Sequence, residues 1–194
     1  MKLLEDRILR DGKVLAGNVL RVDNFVNHQI DTMFMRELGA EIYRRYAGEG
    51  ITKILTIEAS GIGIACLIAP YFEVPVVFAR KKKTTNLSPD VYTAPVESYT
   101  HHTRYDIMVS REYLQPEDRV LIIDDFLAKG SALHGLISLV RDAGATLVGV
   151  GIIIEKAYQD GGKIIRDMGV RVESLARIAS MGEDGSITFA PDPA

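Results

Sequence analysis

Short apolar segments alternate with helical patterns through the middle of the chain. Apolar, partly β-branched runs typical of buried strands lie at 53–57, 75–79, 119–123, 146–154 and 170–178. Between them, apolar residues three or four positions apart indicate helices at 31–47, 62–72, 132–142 and 161–168. Strands separated by helices of this length are typical of β–α–β units. The pattern therefore predicts an α/β fold with a doubly wound, mainly parallel sheet.

Three parts of the chain depart from this alternation. An alternating segment at 91–100 and an apolar stretch at 107–109 predict an antiparallel excursion from the sheet. The two ends lack the strand–helix alternation, and we expect residues 1–30 and 155–194 to fold together as a small hood over one end of the sheet. The whole chain of 194 residues then forms a single domain, with its core at about 31–154.

Composition and charge narrow the class of protein. The chain has 47% hydrophobic residues, 25% charged residues and a net charge of −3, which argues against the basic surface of a nucleic-acid-binding protein. Charges within residues 1–7 stand where a signal peptide has its apolar run. The longest apolar run, near 147–154, is too short to span a bilayer. We therefore expect a cytoplasmic protein that binds neither nucleic acid nor membrane.

The cysteine and the paired histidines of this chain give little support for a catalytic nucleophile or a metal site. The single cysteine, Cys66, lies in an apolar stretch, so we expect a buried small hydrophobe rather than a nucleophile. The adjacent histidines His101 and His102 would point to opposite faces of a strand. We therefore do not expect these two side chains to bind one metal ion together.

The most informative motif joins a buried strand to a helix at residues 120–132. Four apolar residues precede the carboxylates Asp124 and Asp125, and a loop with Gly130 and Ser131 leads into the helix. Ligands of open parallel sheets bind beyond the carboxyl ends of the strands, and the first N–H groups of a helix bind anions. Carboxylates beside such an anion site make sense if they hold the hydroxyls of a phosphorylated sugar. The alternative is structural, with Asp125 capping the strand and Gly130 forming a turn.

This motif resembles the signature of the type I phosphoribosyltransferases, which is a hydrophobic strand, an acidic pair, two apolar residues and a glycine-centred loop. The resemblance implies that the protein binds 5-phosphoribosyl 1-diphosphate. It assigns Asp124 and Asp125 a catalytic role at the ribose hydroxyls, and it assigns the 5′-phosphate to Ala128, Lys129, Gly130, Ser131 and Ala132. The family usually has Thr or Ser at the positions of Lys129 and Ala132, so hydroxyl contacts are lost there while the backbone donors remain.

A second loop, after the strand at 53–57, resembles the diphosphate loop of the same family. The resemblance implies that backbone amides of Ala59, Ser60 and Gly61 bind the diphosphate. The simpler alternative makes Ser60 the N-cap of the following helix.

A basic run at 80–83 follows the next strand. Such a run is usually a solvated loop, but it can also neutralise a diphosphate leaving group, and the family often supplies such a residue across a dimer interface. Lys81 or Lys82 matches that residue best. The polar segment 84–105 resembles the mobile loop that members of the family close over the reaction, which excludes water. Mg²⁺ is expected to arrive on the substrate, with no direct metal ligand from the protein.

We expect the residues that recognise the accepting base at another strand end, where Glu155 and Lys156 follow the run at 146–154. A lysine only donates hydrogen bonds, which suits a purine with oxygen at position 6, whereas adenine needs an acceptor facing its amino group. Near the N-terminus, Leu20 offers backbone groups, and the amide of Asn27 suits an oxygen at position 2. The alternative for Glu155 and Lys156 is a salt-bridged strand end.

Further segments along nearly the whole chain resemble the branch of the family that salvages xanthine, which has oxygen at both positions. They are residues 27–31, 78–81, 123–128, 154–156 and 171–178. This resemblance implies that Leu20, Asn27 and Lys156 bind xanthine, that the product is xanthosine 5′-monophosphate, and that the protein is a homodimer. Phe126 and Lys129 suit this branch better than the adenine or orotate members.

Three alternatives stay open. The protein is a transferase for another purine (guanine, hypoxanthine or adenine), or a non-catalytic regulator that senses the sugar diphosphate. Such regulators carry a DNA-binding module, and the first 30 residues are too short for a winged helix. A dinucleotide-binding domain has less support, since no G-x-G-x-x-G follows the first parallel strand.

Overall fold

A computed structural model of the protein describes residues 1–81, 90–98 and 103–193. The helices in these parts of the chain are α1 (Lys2–Asp11), α2 (Thr32–Tyr46), α3 (Ser60–Phe72), α4 (Ser131–Asp142) and α5 (Gly161–Asp167). The strands are β1 (Lys13–Leu15), β2 (Val19–Arg21), β3 (Lys53–Ile57), β4 (Val76–Ala79), β5 (Val91–Ser98), β6 (Thr103–Ser110), β7 (Arg119–Leu127), β8 (Thr146–Lys156), β9 (Val172–Met181) and β10 (Ile187–Phe189). Lys82 of the basic run lies outside the described residues, and so do residues 84–89 and 99–102 of the predicted mobile segment, with Tyr99, His101 and His102.

Within the described residues, six strands form the central sheet in the spatial order β10-β9-β8-β7-β3-β4. All neighbouring pairs from β9 to β4 are parallel, and β10 is antiparallel to β9 at one edge. This topology confirms the predicted α/β fold with a mainly parallel sheet. No helix in the described residues is long and apolar enough to cross a membrane.

The sheet is covered on both faces. One core packs α1, α2 and α3 against the sheet through buried residues such as Leu4, Leu38, Ile64, Ile68 and Leu121. A second core packs α4 and an antiparallel β5–β6 hairpin against the opposite face, through residues such as Val96, Ile107, Ile122, Leu136 and Val140. The hairpin confirms the predicted antiparallel excursion. Because both faces are buried, the central strands read as nearly continuous apolar runs.

The N-terminal segment is tied to the first core by Arg7 of α1. Its guanidinium pairs with Asp31, the N-cap of α2, at 3.1 Å. It also lies 5.0 Å and 5.1 Å from the ring centres of Phe25 and Phe34. These contacts hold the single π-helical turn that ends at Asn27, so the position of Asn27 depends on α1 and α2 together.

The structure bears on the ends of two predicted segments. The sequence places residues 155–194 in the hood together with residues 1–30; in the structure, β9 and β10 of this segment belong to the central sheet. The two ends of the chain do meet, since Lys156 Nζ donates to the carbonyl oxygen of Asn18 at 3.0 Å. The strand expected to stop at Ile123 runs to Leu127, because β8 continues to pair with it as far as Glu155.

The prediction that Cys66 is buried is wrong, because its side chain is exposed. Helix α3 is apolar along nearly its whole length, so the sequence pattern does not mark which side faces the core. The structure turns Ile64, Ala65 and Ile68 inward and leaves Cys66 on the outer side.

Candidate active site

The sheet opens between β3 and β7 at the carboxyl ends of these strands. In the described structure their pairing covers only residues 53–55 and 120–122. The chain leaves β3 toward β4 on one side, whereas β7 leads to β8 on the other. Such a reversal of strand order is where ligands bind in open α/β sheets. The crevice therefore lies directly beside Asp124 and Asp125.

The acidic pair is built into β7 rather than placed after it. Asp124 Oδ1 accepts from the backbone N–H of Asp125 at 3.0 Å, and Asp125 Oδ1 accepts from the N–H of Phe126 at 2.9 Å. The two carboxylates thus satisfy backbone donors of β7 in a region where β3 is no longer paired. Both carboxylates are buried, which fixes them at the wall of the crevice.

Asn27 joins the N-terminal segment to this pair. Its Nδ2 donates to Asp125 Oδ2 at 2.8 Å. The sequence places Asn27 at the base and Asp125 at the sugar, and it does not predict that the two side chains touch. No spacing pattern reveals this contact, since 98 residues separate them.

Burial strongly affects the charge of the pair. The pKa of Asp124 is raised well above its ordinary value, first because the carboxyl is buried and then because the charge of Asp125 lies next to it. The nearby Lys81 ammonium acts in the opposite direction and lowers the pKa of Asp124. The surroundings of the pair thus disfavour two full negative charges at this point.

The glycine loop at 128–132 lies beside the acidic pair. Gly130 has φ of +82° and is the N-cap of α4, which begins at Ser131; this left-handed backbone favours glycine. A cavity of about 220 Å³ is lined by this loop together with Asp124 and Tyr105. The first amides of α4 have no partner within the helix, so their donors and the helix dipole suit an anion here.

The second predicted loop reaches the same crevice from β3. Ser60 and Gly61 form the first turn of α3, and Ala59 is its N-cap position without a side-chain cap. The alternative in which Ser60 caps the helix is therefore wrong. A Cβ at Gly61 would overlap Thr56 Oγ1 and lie 3.4 Å from Asp124 Oδ1, which places this turn against the acidic pair.

Thr56 is a site residue that the sequence did not reveal. It is fully buried at the end of β3, beneath the first turn of α3. Its Oγ1 has no hydrogen-bond partner among the described residues. The only available signal was its position, one residue before the end of a predicted strand that leads into a ligand loop.

Lys81 lies close to both loops. Its backbone N–H donates to Glu58 Oε1 at 2.6 Å, and its Nζ is 5.5 Å from the centre of the Tyr105 ring. Burial and the charge of Asp124 raise the pKa of Tyr105. The structure therefore brings the Tyr105 phenol and Asp124 together at the 220 Å³ cavity, with the Lys81 ammonium over the Tyr105 ring.

The remaining predicted residues lie at the N-terminal side of the crevice. Leu20 is buried in β2, two residues from Asn18, whose carbonyl oxygen binds Lys156. Lys156 ends β8 and is half-buried, and this burial lowers its pKa. Its neighbour Glu155 is part of an ion network, as the alternative of a salt-bridged strand end predicts.

The volume of a cavity does not by itself identify the candidate active site in this structure. A larger cavity of about 520 Å³ lies between β4 and β6, and another of about 390 Å³ lies between the β1–β2 turn and residues 182–183. Neither is lined by the acidic pair or by the two loops. No group of three or more His, Cys, Asp or Glu residues suited to a metal ion occurs in the described parts of the chain.

Comparison with known proteins identifies the family. The model of the phosphoribosyl transferase domain matches residues 21–173. The chain belongs to the phosphoribosyltransferase family. Membership confirms the family that the motif at 120–132 predicts.

Curated relatives of this phosphoribosyltransferase match it over almost their full length. It is 56% identical over 193 residues to the xanthine phosphoribosyltransferase of Lachnoclostridium phytofermentans, covering 99% of this chain and 100% of the relative. It is 54% identical over 192 residues to the xanthine phosphoribosyltransferase of Lacticaseibacillus casei, again covering 99% and 100%.

Solved structures share the phosphoribosyltransferase fold. The adenine phosphoribosyltransferase of Trypanosoma brucei, in complex with AMP, pyrophosphate and ribose-5-phosphate, superposes with a TM-score of 0.78 at 22% identity, covering 94% of this chain and 82% of that one. The enzyme of Rhodothermus marinus gives a TM-score of 0.75 at 22% identity, covering 91% and 98%. At this identity the likeness supports the fold alone.

The raised pKa of Asp124 predicts how the stability of this phosphoribosyltransferase depends on pH. Between the ordinary carboxyl pKa of about 4 and the raised value, the folded state holds more protons than the unfolded state, so stability falls as the pH rises. Asp124→Asn removes that loss. Compared with the unmodified protein, we expect this variant to have a melting temperature a few degrees higher at pH 7. Its melting temperature should change less with pH between pH 4 and 8, and at the acid end of this range it should not exceed that of the unmodified protein.

Asp118 provides a matched control for this measurement. It is also buried, and burial alone would raise its pKa, but hydrogen bonds from Lys53 at 2.7 Å and the Gln115 amide at 2.8 Å lower it. Asp118→Asn should therefore lower stability at pH 7 by about 1–3 kcal/mol. If Asp124→Asn were destabilising to the same extent, the electrostatic strain assigned to the acidic pair would be absent.

Proposed function

We propose that this protein transfers phosphoribose from 5-phosphoribosyl 1-diphosphate to N9 of xanthine, giving xanthosine 5′-monophosphate and diphosphate. The observation that carries the proposal is a buried acidic pair between the N-termini of α3 and α4, at the crevice of the sheet. One helix end suits the diphosphate and the other suits the 5′-phosphate, with the ribose between them. The choice of xanthine is supported by the names of the curated relatives.

The reaction replaces the bond from the anomeric carbon to diphosphate with a bond to N9. Bond breaking runs ahead of bond making, so positive charge develops on the ribose ring. Asp124 and Asp125 hold the ribose hydroxyls and stabilise this charge from a fixed position. The amides of Ala59, Ser60 and Gly61 hold the departing diphosphate, and residues 128–132 hold the 5′-phosphate.

Mg²⁺ enters this proposal as a partner of the sugar diphosphate. Magnesium at phosphoryl sites is commonly held by substrate phosphates, so the diphosphate would carry the ion, with no direct ligand from the protein. When bound, it neutralises charge on the leaving group. Lys81 adds positive charge near Asp124, whose pKa it lowers.

The base is recognised from the N-terminal side of the crevice. An asparagine amide has two N–H donors, and Asn27 uses one for Asp125, which leaves the other for the oxygen at position 2. The Lys156 ammonium has three donors, of which one binds Asn18; another reaches the oxygen at position 6. Backbone groups of Leu20 complete the contact.

A direct assay tests the proposed function. The protein is incubated with 5-phosphoribosyl 1-diphosphate, Mg²⁺ and each of xanthine, guanine, hypoxanthine and adenine, and the nucleotides are identified. We expect xanthosine 5′-monophosphate and the highest kcat/KM for xanthine, because Lys156 and Asn27 offer donors to both oxygens. Preference for another purine would correct the substrate. No nucleotide from any base would favour the sensor of sugar diphosphate.

The variant Lys156→Ala tests the recognition of the base. We expect at least a tenfold higher KM for xanthine, since one hydrogen bond from a charged group is worth about 1.5–3 kcal/mol. The KM for 5-phosphoribosyl 1-diphosphate should change much less. Lys163→Ala, which removes an exposed lysine of α5, is the control. Unchanged xanthine kinetics in Lys156→Ala would remove this residue from the base site.

We also propose that the protein acts as a homodimer in the cytoplasm, where its phosphorylated substrates are confined. The outer side of α2 and α3 supports the dimer. Met33 and Tyr43 are 64% and 41% exposed, and Cys66 is exposed on the same side as a cavity of about 250 Å³ lined mainly by apolar surface at Leu67, Pro70 and Tyr71. Exposed apolar patches commonly mark protein interfaces.

Sedimentation equilibrium tests the dimer. We expect a mass of twice the 21.4 kDa of one chain for the unmodified protein, and a shift toward one chain for Leu67→Asp. Leu9→Asp alters an exposed leucine on α1 and should leave the mass unchanged. A single-chain mass for the unmodified protein would contradict the proposal.

A further inference from the structure

Glu155 is a buried carboxylate to which the proposed reaction assigns no role. It lies at the end of β8 and is 2% exposed. Arg166 of α5 binds both of its oxygens, at 2.8 Å and 2.7 Å, while Ser174 and Arg177 of β9 donate to Oε2 at 2.6 Å and 3.2 Å. Removing one partner of a buried ion pair is strongly destabilising, because it leaves an uncompensated charge in the interior.

The Glu155–Arg166 pair fixes the first turn of α5. A Cβ at Gly162 would overlap Glu155 Oε1 and lie 2.7 Å from Arg166 Nη1. The backbone of α5 therefore rests directly on the ion pair, and only a glycine fits between them. Burial alone would raise the pKa of Glu155, but the hydrogen bonds from Arg166 and Ser174 lower it, so the carboxylate stays charged at neutral pH.

The same turn supports the glycine loop from below. The N–H of Gly161 donates to the carbonyl oxygen of Ala128 at 3.2 Å. A Cβ at Gly161 would overlap that oxygen and lie 2.6 Å from the carbonyl carbon of Lys129 and 2.7 Å from the nitrogen of Gly130. The backbone of the first turn of α5 thus packs directly against the backbone of the glycine loop, with no side chain between them. We therefore expect a movement of this turn to displace the loop.

We propose that Glu155 is a positioning residue for the phosphate-binding loop, acting through Arg166 and the two glycines of α5. The inference rests on the proposed function, because it assigns the loop at 128–132 to the 5′-phosphate. Backbone donors bind a phosphate well only when they are held in place beforehand. A displacement of about 1 Å in a positioning element costs up to 10²-fold in rate. Glu155 itself touches no reacting atom.

The variant Glu155→Gln keeps the size of the side chain and removes its charge. We expect the KM for 5-phosphoribosyl 1-diphosphate to rise by about tenfold, with less than about a threefold change in the KM for xanthine, because Lys156 keeps its own contact with Asn18. We also expect faster hydrogen–deuterium exchange in the peptide that covers 128–132. A merely structural role would lower the melting temperature without this selective effect.

Two further variants complete the test. Gly161→Ala pushes the loop without touching the ion network, so it should reproduce the KM effect and the faster exchange even if Glu155→Gln fails to fold. Asp118→Asn perturbs a buried carboxylate beside Lys53, at the opposite end of the sheet, and should lower stability without either effect.

The outcomes separate this inference from the proposed function. A protein that converts no purine defeats the proposed function, whereas the exchange measurement still tests the support of the loop. If Glu155→Gln and Gly161→Ala both leave the KM for the sugar diphosphate and the exchange of 128–132 unchanged, the positioning role is overturned.

Discussion

The separation of β7 from β3 while β7 stays paired with β8 is the constraint on which the site depends. Pairing with β3 ends at Ile122, yet pairing with β8 continues to Leu127. The backbone of β7 is therefore held on one side and open on the other. Asp124 and Asp125 each accept from the next backbone N–H of the strand with their own side chains, in the stretch that β3 no longer pairs with.

This arrangement stores electrostatic strain at the place that the proposed reaction assigns to the ribose. Two buried carboxylates repel each other, and Lys81 only partly relieves them. In the proposed reaction, the ribose offers hydroxyl donors and develops positive charge, which relieves this repulsion further. On that proposal the pair interacts more strongly with the transition state than with the uncharged ribose ring of the ground state. The carboxylates favour the ribose at the centre of a sugar diphosphate but repel the phosphates at its two ends. The N-termini of α3 and α4 offset this repulsion, because helix N-termini attract anions.

The sequence predicted the fold well because its main signals are local. The strands and helices from β3 to β9 follow from apolar periodicity, and the motif at 120–132 predicted the family. Periodicity did not locate the end of β7, since pairing with β8 decides it, nor the outer side of α3, which is apolar along nearly its whole length. The contact of Asn27 with Asp125 and the support of the glycine loop by Gly161 are long-range, and no local pattern carries them.

The contact between Asn27 and Asp125 links the two halves of the proposed reaction. Arg7 and its aromatic neighbours hold the turn that carries Asn27, and Asn27 holds a carboxylate assigned to the ribose. A base that takes the second N–H of Asn27 therefore binds a residue already attached to the sugar site. Binding of the base and alignment of the carboxylate are then coupled through one amide. In the proposed reaction, that coupling is a physical reason for the contact with the oxygen at position 2 to lie on the N-terminal segment, while Lys156 contacts the base from the end of β8.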